Sequence, residues 1–121
     1  GKPQVWYLDL FAGKNDLEGM KRAGANGHKE INRTNLTAEQ IQELMKQDVV
    51  KQQLSMLRFR ATFAAFNADA LIIVKSFEDQ MEFIWEKEEN RACLKIDFKA
   101  ITFDMTGVDD KGTQVFKLSN V

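Results

Sequence analysis

From Arg58 onward the chain reads in twos. Phe59, Ala61, Phe63 and Ala65 alternate with Arg58, Arg60 and Thr62, the period of a strand with one dry face and one wet face. Asn67-Ala68-Asp69 supplies a turn, and Leu71 to Phe77 reads as the next strand. Its run Leu71-Ile72-Ile73-Val74 is apolar throughout, which predicts a central strand covered on both faces. Glu78-Asp79-Gln80 makes another turn. Met81, Phe83 and Trp85 then alternate with Glu82, Ile84 and Glu86, and Lys87 to Asn90 forms a charged turn. Ala92, Leu94, Ile96 and Phe98 continue the alternation, but Ile101, Phe103 and Met105 carry it in the opposite phase. A strand cannot change phase without turning its core face to water, so a bulge or tight turn is expected at Lys99-Ala100. Gly107 to Gly112 is a turn or short loop, and Thr113 to Leu118 is the last strand, with Phe116 and Leu118 inward.

The first half follows other rules. Gln4 to Phe11 has strand-like content with imperfect alternation, and a short amphipathic helix competes for it. Gly13 and Asn15 mark a turn, and Asp16 to Arg22 suits one or two helical turns. Ala23 to Asn35, rich in Gly and Asn, reads as a loop. Thr37 and Gln40 have the spacing of a capping box, and Leu36 with Ile41 that of a hydrophobic staple. Ile41, Leu44, Met45 and Val49 follow helical spacing, which predicts a helix from about Ala38 to Val50, extending as far as Gln53.

These elements define an α+β fold over residues 1–121 as a single domain. A capped helix in the N-terminal half packs against a curved, mainly antiparallel meander of five or six strands. The run Ala61 to Val74, ATFAAFNADALIIV, resembles a hairpin of lipocalin-like small β-barrel domains. A capped helix before a meander resembles cystatin-like or pleckstrin-like arrangements. Neither resemblance carries a functional motif.

Composition adds limits. At 121 residues the chain can bury roughly two-thirds of its extended surface, enough for a core without staples. Lys and Arg number 17 against 18 Asp and Glu, a balance that argues against general nucleic-acid binding. No apolar run approaches a membrane span, so membrane insertion is not expected. The chain opens Gly1-Lys2-Pro3 without Met, which favours a processed, exported domain and leaves its compartment unspecified. Cys93, the sole cysteine, sits in a strand pattern and reads as structural. Asn32-Arg33-Thr34 and Asn35-Leu36-Thr37 match the glycosylation triplet, a pattern that recurs by chance.

Candidate chemistry is sparse. His28, the single histidine, lies in the Gly/Asn loop without a second histidine or an HExxH spacing, so no metal site is expected. Gly19 to Gly27 combines glycines with Lys21 and Arg22 but lacks both phosphate-loop spacings, and reads as a solvated loop. Glu82 and Glu86 share a strand face and read as its wet side rather than as an acid/base pair. Arg58 and Arg60, beside Lys95 and Lys99, would make a basic sheet face that the carboxylates partly neutralise. Trp6, Tyr7 and Trp85 could line a cavity in a curled sheet.

Trp6, Tyr7, Arg58, Arg60 and Trp85 are therefore the candidate ligand-binding residues, with no catalytic residue, metal or cofactor assigned. With no complete catalytic set in view, the expectation is a non-catalytic binding module for a protein partner, a second copy or a small apolar ligand. The alternatives are a small curved-sheet enzyme with a buried carboxylate beside Tyr7 or His28, and a structural component of a larger assembly.

Overall fold

A computed structural model describes residues 3–120. They fall into two compact units, divided between Ser55 and Met56. The fold is α+β, with helices first and a five-stranded antiparallel sheet after them.

The first unit carries short helices. Gln4 to Phe11 resolves toward the helical alternative: α1 (Tyr7–Leu10) follows an extended Trp6. Leu8 is buried, and a Cβ on Gly13 would lie 2.4 Å from Leu8 Cδ1, so a larger residue there would have to displace the leucine side chain. In α2 (Leu17–Arg22), Asp16 is the N-cap, its side chain accepting from Gly19 N. A 3-10 segment, Gly24–Lys29, follows.

The capping box stands as expected. Gln40 N donates to Thr37 Oγ1 at 3.2 Å, and Thr37 N donates to Gln40 Oε1 at 2.8 Å. The helix it starts, α3 (Ala38–Leu44), is shorter than the spacing predicts. Lys46 N and Gln47 N bond to the third residue back, Glu43 O and Leu44 O, which tightens the last turn and ends the helix. A second helix, α4 (Asp48–Thr62), then begins in the first unit and ends in the second.

This overturns the strand expected at Phe59 to Ala65. Phe59, Phe63 and Phe66 stand four and seven positions apart, a helical spacing that their surroundings use. Phe59 and Phe63 stack at 4.8 Å, and Phe66 meets Phe59 edge-on at 5.3 Å from a short 3-10 turn, Ala64–Phe66. The stretch resembling a lipocalin hairpin is thus helix, 3-10 turn and a single strand.

The sheet of the second unit runs β1 (Leu71–Phe77), β2 (Gln80–Lys87), β3 (Asn90–Asp97), β4 (Thr102–Val108) and β5 (Gln114–Ser119), each paired with its sequence neighbour. It is open, with β1 and β5 as its edges. The phase break is a turn: Phe98 to Ile101 link β3 to β4, and Asp97 pairs with Thr102. A register shift does occur, but at Gly107/Val108. The central position expected for Leu71 to Phe77 is also corrected. This strand is an edge, and Leu71, Ile72, Val74 and Phe77 are exposed. One sheet face, with Trp85, Ala92, Leu94, Met105 and Phe116, packs with Phe59, Phe66 and Ala65 into the core of this unit.

Candidate functional site in an aromatic-strapped basic loop

The aromatic pair of the first unit is a fastening. Trp6 Nε1 donates to Asn32 O at 2.9 Å, and Tyr7 OH donates to Thr34 O. The two rings lie 5.7 Å apart, tilted by 51°. Two more bonds hold the same stretch: Thr34 Oγ1 donates to Lys14 O at 2.6 Å, and Asp16 N donates to Ile31 O at 2.8 Å. Residues 31–34 are therefore strapped from four positions near the start of the chain. Gly27 explains how the loop lies. It is buried, and a Cβ there would fall 1.9 Å from Met20 O, so only glycine permits this approach to the α2 backbone.

The strapped loop is rich in cations. Residues 14–34 hold five Lys or Arg and three Asp or Glu. Arg33 pairs with Glu30 at 3.0 Å, and Arg22 reaches Asp16 and Glu18 at 3.8 Å each. These are solvent-exposed pairs that contribute little to stability. Lys14, Lys21 and Lys29 make no ion pair among the described residues. His28 is exposed. Flexible ammonium and guanidinium groups on a fixed backbone suit an oxyanion, phosphate above all. No group of three or more metal-ligating side chains occurs among the described residues.

The other candidates occupy the second unit. Arg58 is exposed on α4, and the Arg60 guanidinium lies 5.5 Å above the Phe66 ring. Because both are helical, two positions apart, they do not share a face, and the basic sheet face expected from them with Lys95 and Lys99 is absent. Trp85 is half-buried, 5.2 Å from Phe66 and 5.8 Å from Phe83. Glu82 and Glu86 do lie on the wet sheet face. Glu82 accepts from Lys75 Nζ at 2.9 Å, with Lys95 Nζ at 3.9 Å and Cys93 Sγ at 3.5 Å. The Lys75 bond holds the Glu82 carboxyl below the usual carboxylate range, against an opposing effect of burial and with help from Cys93. Burial first, and then the Glu82 carboxylate, push the Cys93 thiol up. A raised pKa favours the thiol over the thiolate, which agrees with a structural cysteine. No polar or charged residue is buried among those described, so the buried carboxylate pictured for a small cone-like enzyme is not found there. No described helix is long and apolar enough to cross a membrane.

The sequence marks Asn32 and Thr34 only as a glycosylation triplet and does not mark Lys14 at all. Their part is played by backbone oxygens and by one hydroxyl donor, which carry no residue-type signature. The available signals were Asp16 three residues before Gly19 and the tightly placed Gly27.

Comparison with known proteins places this architecture beside the glycoside phosphorylases. No family model matches the chain. Over 115 residues, 95% of the chain, it is 41% identical to sucrose 6(F)-phosphate phosphorylase of Ilumatobacter coccineus. Over 116 residues it is 30% identical to glucosylglycerol phosphorylase of Marinobacter adhaerens. The crystal structure of sucrose 6F-phosphate phosphorylase from Thermoanaerobacter thermosaccharolyticum superposes with a TM-score of 0.80 at 34% identity, over 96% of this chain and 23% of that one. The chain spans 22% and 24% of the two curated relatives. These relatives are enzymes, and the expectation of a non-catalytic binding module is overturned by them. That expectation leaned on the lack of a catalytic set, but a stretch matching under a quarter of an enzyme need not hold one.

Proposed function

We propose that these residues form part of a glycoside phosphorylase acting on a sucrose-type sugar or sugar phosphate. In that reading Trp6 and Tyr7 position the basic loop, and Lys29 and Arg33 hold a phosphate oxyanion. The observation that carries the reading is the 41% identity sustained over 95% of the chain. The loop chemistry agrees with it, since a phosphorylase must bind at least one phosphate and this loop offers mobile cations on a strapped backbone.

The test is an assay of the polypeptide that carries this chain with sucrose, sucrose 6F-phosphate or glucosylglycerol, each with inorganic phosphate. Release of a glycosyl phosphate is the expected product, and its absence with all three substrates would sink the reading. Replacing Lys29 or Arg33 by Ala should raise KM with little change in kcat, as removal of uniform binding does. A rise for sucrose 6F-phosphate alone assigns the loop to the sugar phosphate. A rise for inorganic phosphate with every sugar assigns it to the co-substrate. An unchanged KM in both removes the loop from the site.

A further inference from the structure

Two rows of side chains cross the wet face of the sheet at the end where the β1–β2 and β3–β4 turns lie. In the outer row Phe77 is paired with Gln80, Gln80 with Asp97, and Asp97 with Thr102. In the inner row Lys75 is paired with Glu82, Glu82 with Lys95, and Lys95 with Asp104. Direct partners across an antiparallel sheet project from the same face. An open groove of about 350 Å3 lies over them, lined by every member of the two rows except Lys75, and that volume is within the range of small-molecule sites. Contacts inside the groove leave a defined set of groups open. Lys75 Nζ takes Glu82 at 2.9 Å, while Lys95 Nζ stands 3.9 Å from the same carboxylate, beyond hydrogen-bond reach. Asp97 accepts from Ala100 N and from Gln80 Nε2, which fixes the Gln80 amide with its oxygen still open. The Asp104 carboxylate and the Thr102 hydroxyl make no ion pair or side-chain hydrogen bond among the described residues. Phe77, at the rim, is 63% exposed.

These groups select a ligand by its chemistry. An open aromatic face attracts the weakly positive C–H face of a saturated ring. A carboxylate accepts from hydroxyl groups, and an ammonium and a hydroxyl donate to them. The two rows hold three carboxylates, Glu82, Asp97 and Asp104, against two ammonium groups, a balance that repels anions and is the reverse of that in the strapped loop. The carboxylates do not gather into a group that could hold a metal ion among the described residues. We propose that this groove binds an uncharged glycosyl unit, with its ring face on Phe77 and its hydroxyls bonded to Asp104, Lys95 and Thr102. Such a site takes up sugar whether or not the polypeptide turns it over, so it stands without the phosphorylase reading.

The test is amide hydrogen exchange on the polypeptide that carries this chain, with maltotriose as the probe and glucose 6-phosphate and calcium chloride as comparisons. At about ten times its Kd, maltotriose should slow exchange in residues 77–82 and 95–104 by about tenfold, since local opening must first release the sugar. Phe77→Ala, at an exposed edge, should weaken binding about tenfold and cut the slowing at the same concentration to about twofold. Asp104→Asn, which keeps the side-chain shape and breaks no contact, should weaken binding about threefold and leave about a fourfold slowing. Glucose 6-phosphate at the same concentration should slow these residues by less than twofold. No slowing in them with maltotriose would overturn the proposal, as would slowing that both substitutions leave intact. Equal slowing by glucose 6-phosphate would overturn it as well, and slowing by calcium in place of sugar would make the groove a cation site. Glycosyl phosphate release is assayed in parallel. Sugar protection without turnover ends the phosphorylase reading alone, and turnover without protection here ends the groove proposal alone.

Discussion

Phe59 and Phe116 lie face to face, with ring centroids 4.0 Å apart and planes 3° from parallel. The contact joins the end of α4 to β5, and it exists because Gly107 leaves room beneath the Phe59 ring. A Cβ at Gly107 would lie 2.3 Å from Phe59 Cζ. Phe59 also touches Phe63 and Phe66, which makes it the hub of the second unit's core. Phe59→Ala should cost about 3 to 5 kcal/mol, the range for emptying a buried aromatic site. Gly107→Ala should cost about 1 to 3 kcal/mol through overpacking. Urea denaturation followed by tryptophan fluorescence measures both, and a loss under 1 kcal/mol for Phe59→Ala would contradict the hub assignment.

The loop strap makes a separable claim. Tyr7→Phe removes one hydroxyl donor and leaves Thr34 O to solvent, for an expected loss of about 1 kcal/mol. Exchange of amides in residues 24–34 should accelerate more than exchange in the sheet. If protection falls evenly across the chain, Tyr7 supports the fold at large and not this loop in particular.

Acid should unfasten the wet face of the sheet. Glu82 has a folded pKa below its ordinary value of 4.5, so its ionised form stabilises the fold. That contribution is fully present above about pH 4.5 and is lost as pH falls through the lower folded value. Glu82→Gln should therefore flatten the stability profile below pH 4.5. The same substitution removes a carboxylate that raises the Cys93 pKa, so alkylation of Cys93 at pH 8 should quicken. Parallel acid-denaturation curves for the two proteins would refute the first expectation.

The β2–β3 hairpin turns through Glu88 and Glu89, at φ +47 and +65. Two-residue turns with both central residues at positive φ favour Asn-Gly strongly. Replacing the pair, Glu88→Asn with Glu89→Gly, should raise stability by roughly 1 kcal/mol. Thermal melts read the gain directly. A lower Tm would mean that these carboxylates have a structural role beyond the turn.

What the chain disclosed in advance was local. The capping box of Thr37 and Gln40 spans three residues, and the strands of the meander are read from side chains two apart, so both are plain in the sequence. Phe59 to Ala65 misled because the aromatic spacing satisfies two periods at once, while the backbone is helix to Thr62 and a 3-10 turn from Ala64, with Phe63 N still bonded to Phe59 O. β1 misled because apolar content does not distinguish a central strand from an exposed edge. The strap of the candidate loop was hidden for another reason: Trp6 and Asn32 are 26 residues apart, and Asn32 contributes its carbonyl oxygen, which every residue type possesses. The enzymatic relationship was beyond motif reading, since no spacing of reactive side chains in these residues spells it out.

The sheet order has a kinetic consequence. Every pairing in it joins strands that are neighbours along the chain, so no strand waits for a distant segment to arrive. Each hairpin closes a short loop, where the entropy of closure is small, and a low contact order favours fast folding. The five strands can therefore zip in succession from Leu71 to Ser119, and a ribosome delivering them in that order would release a sheet able to pair each strand as it appears.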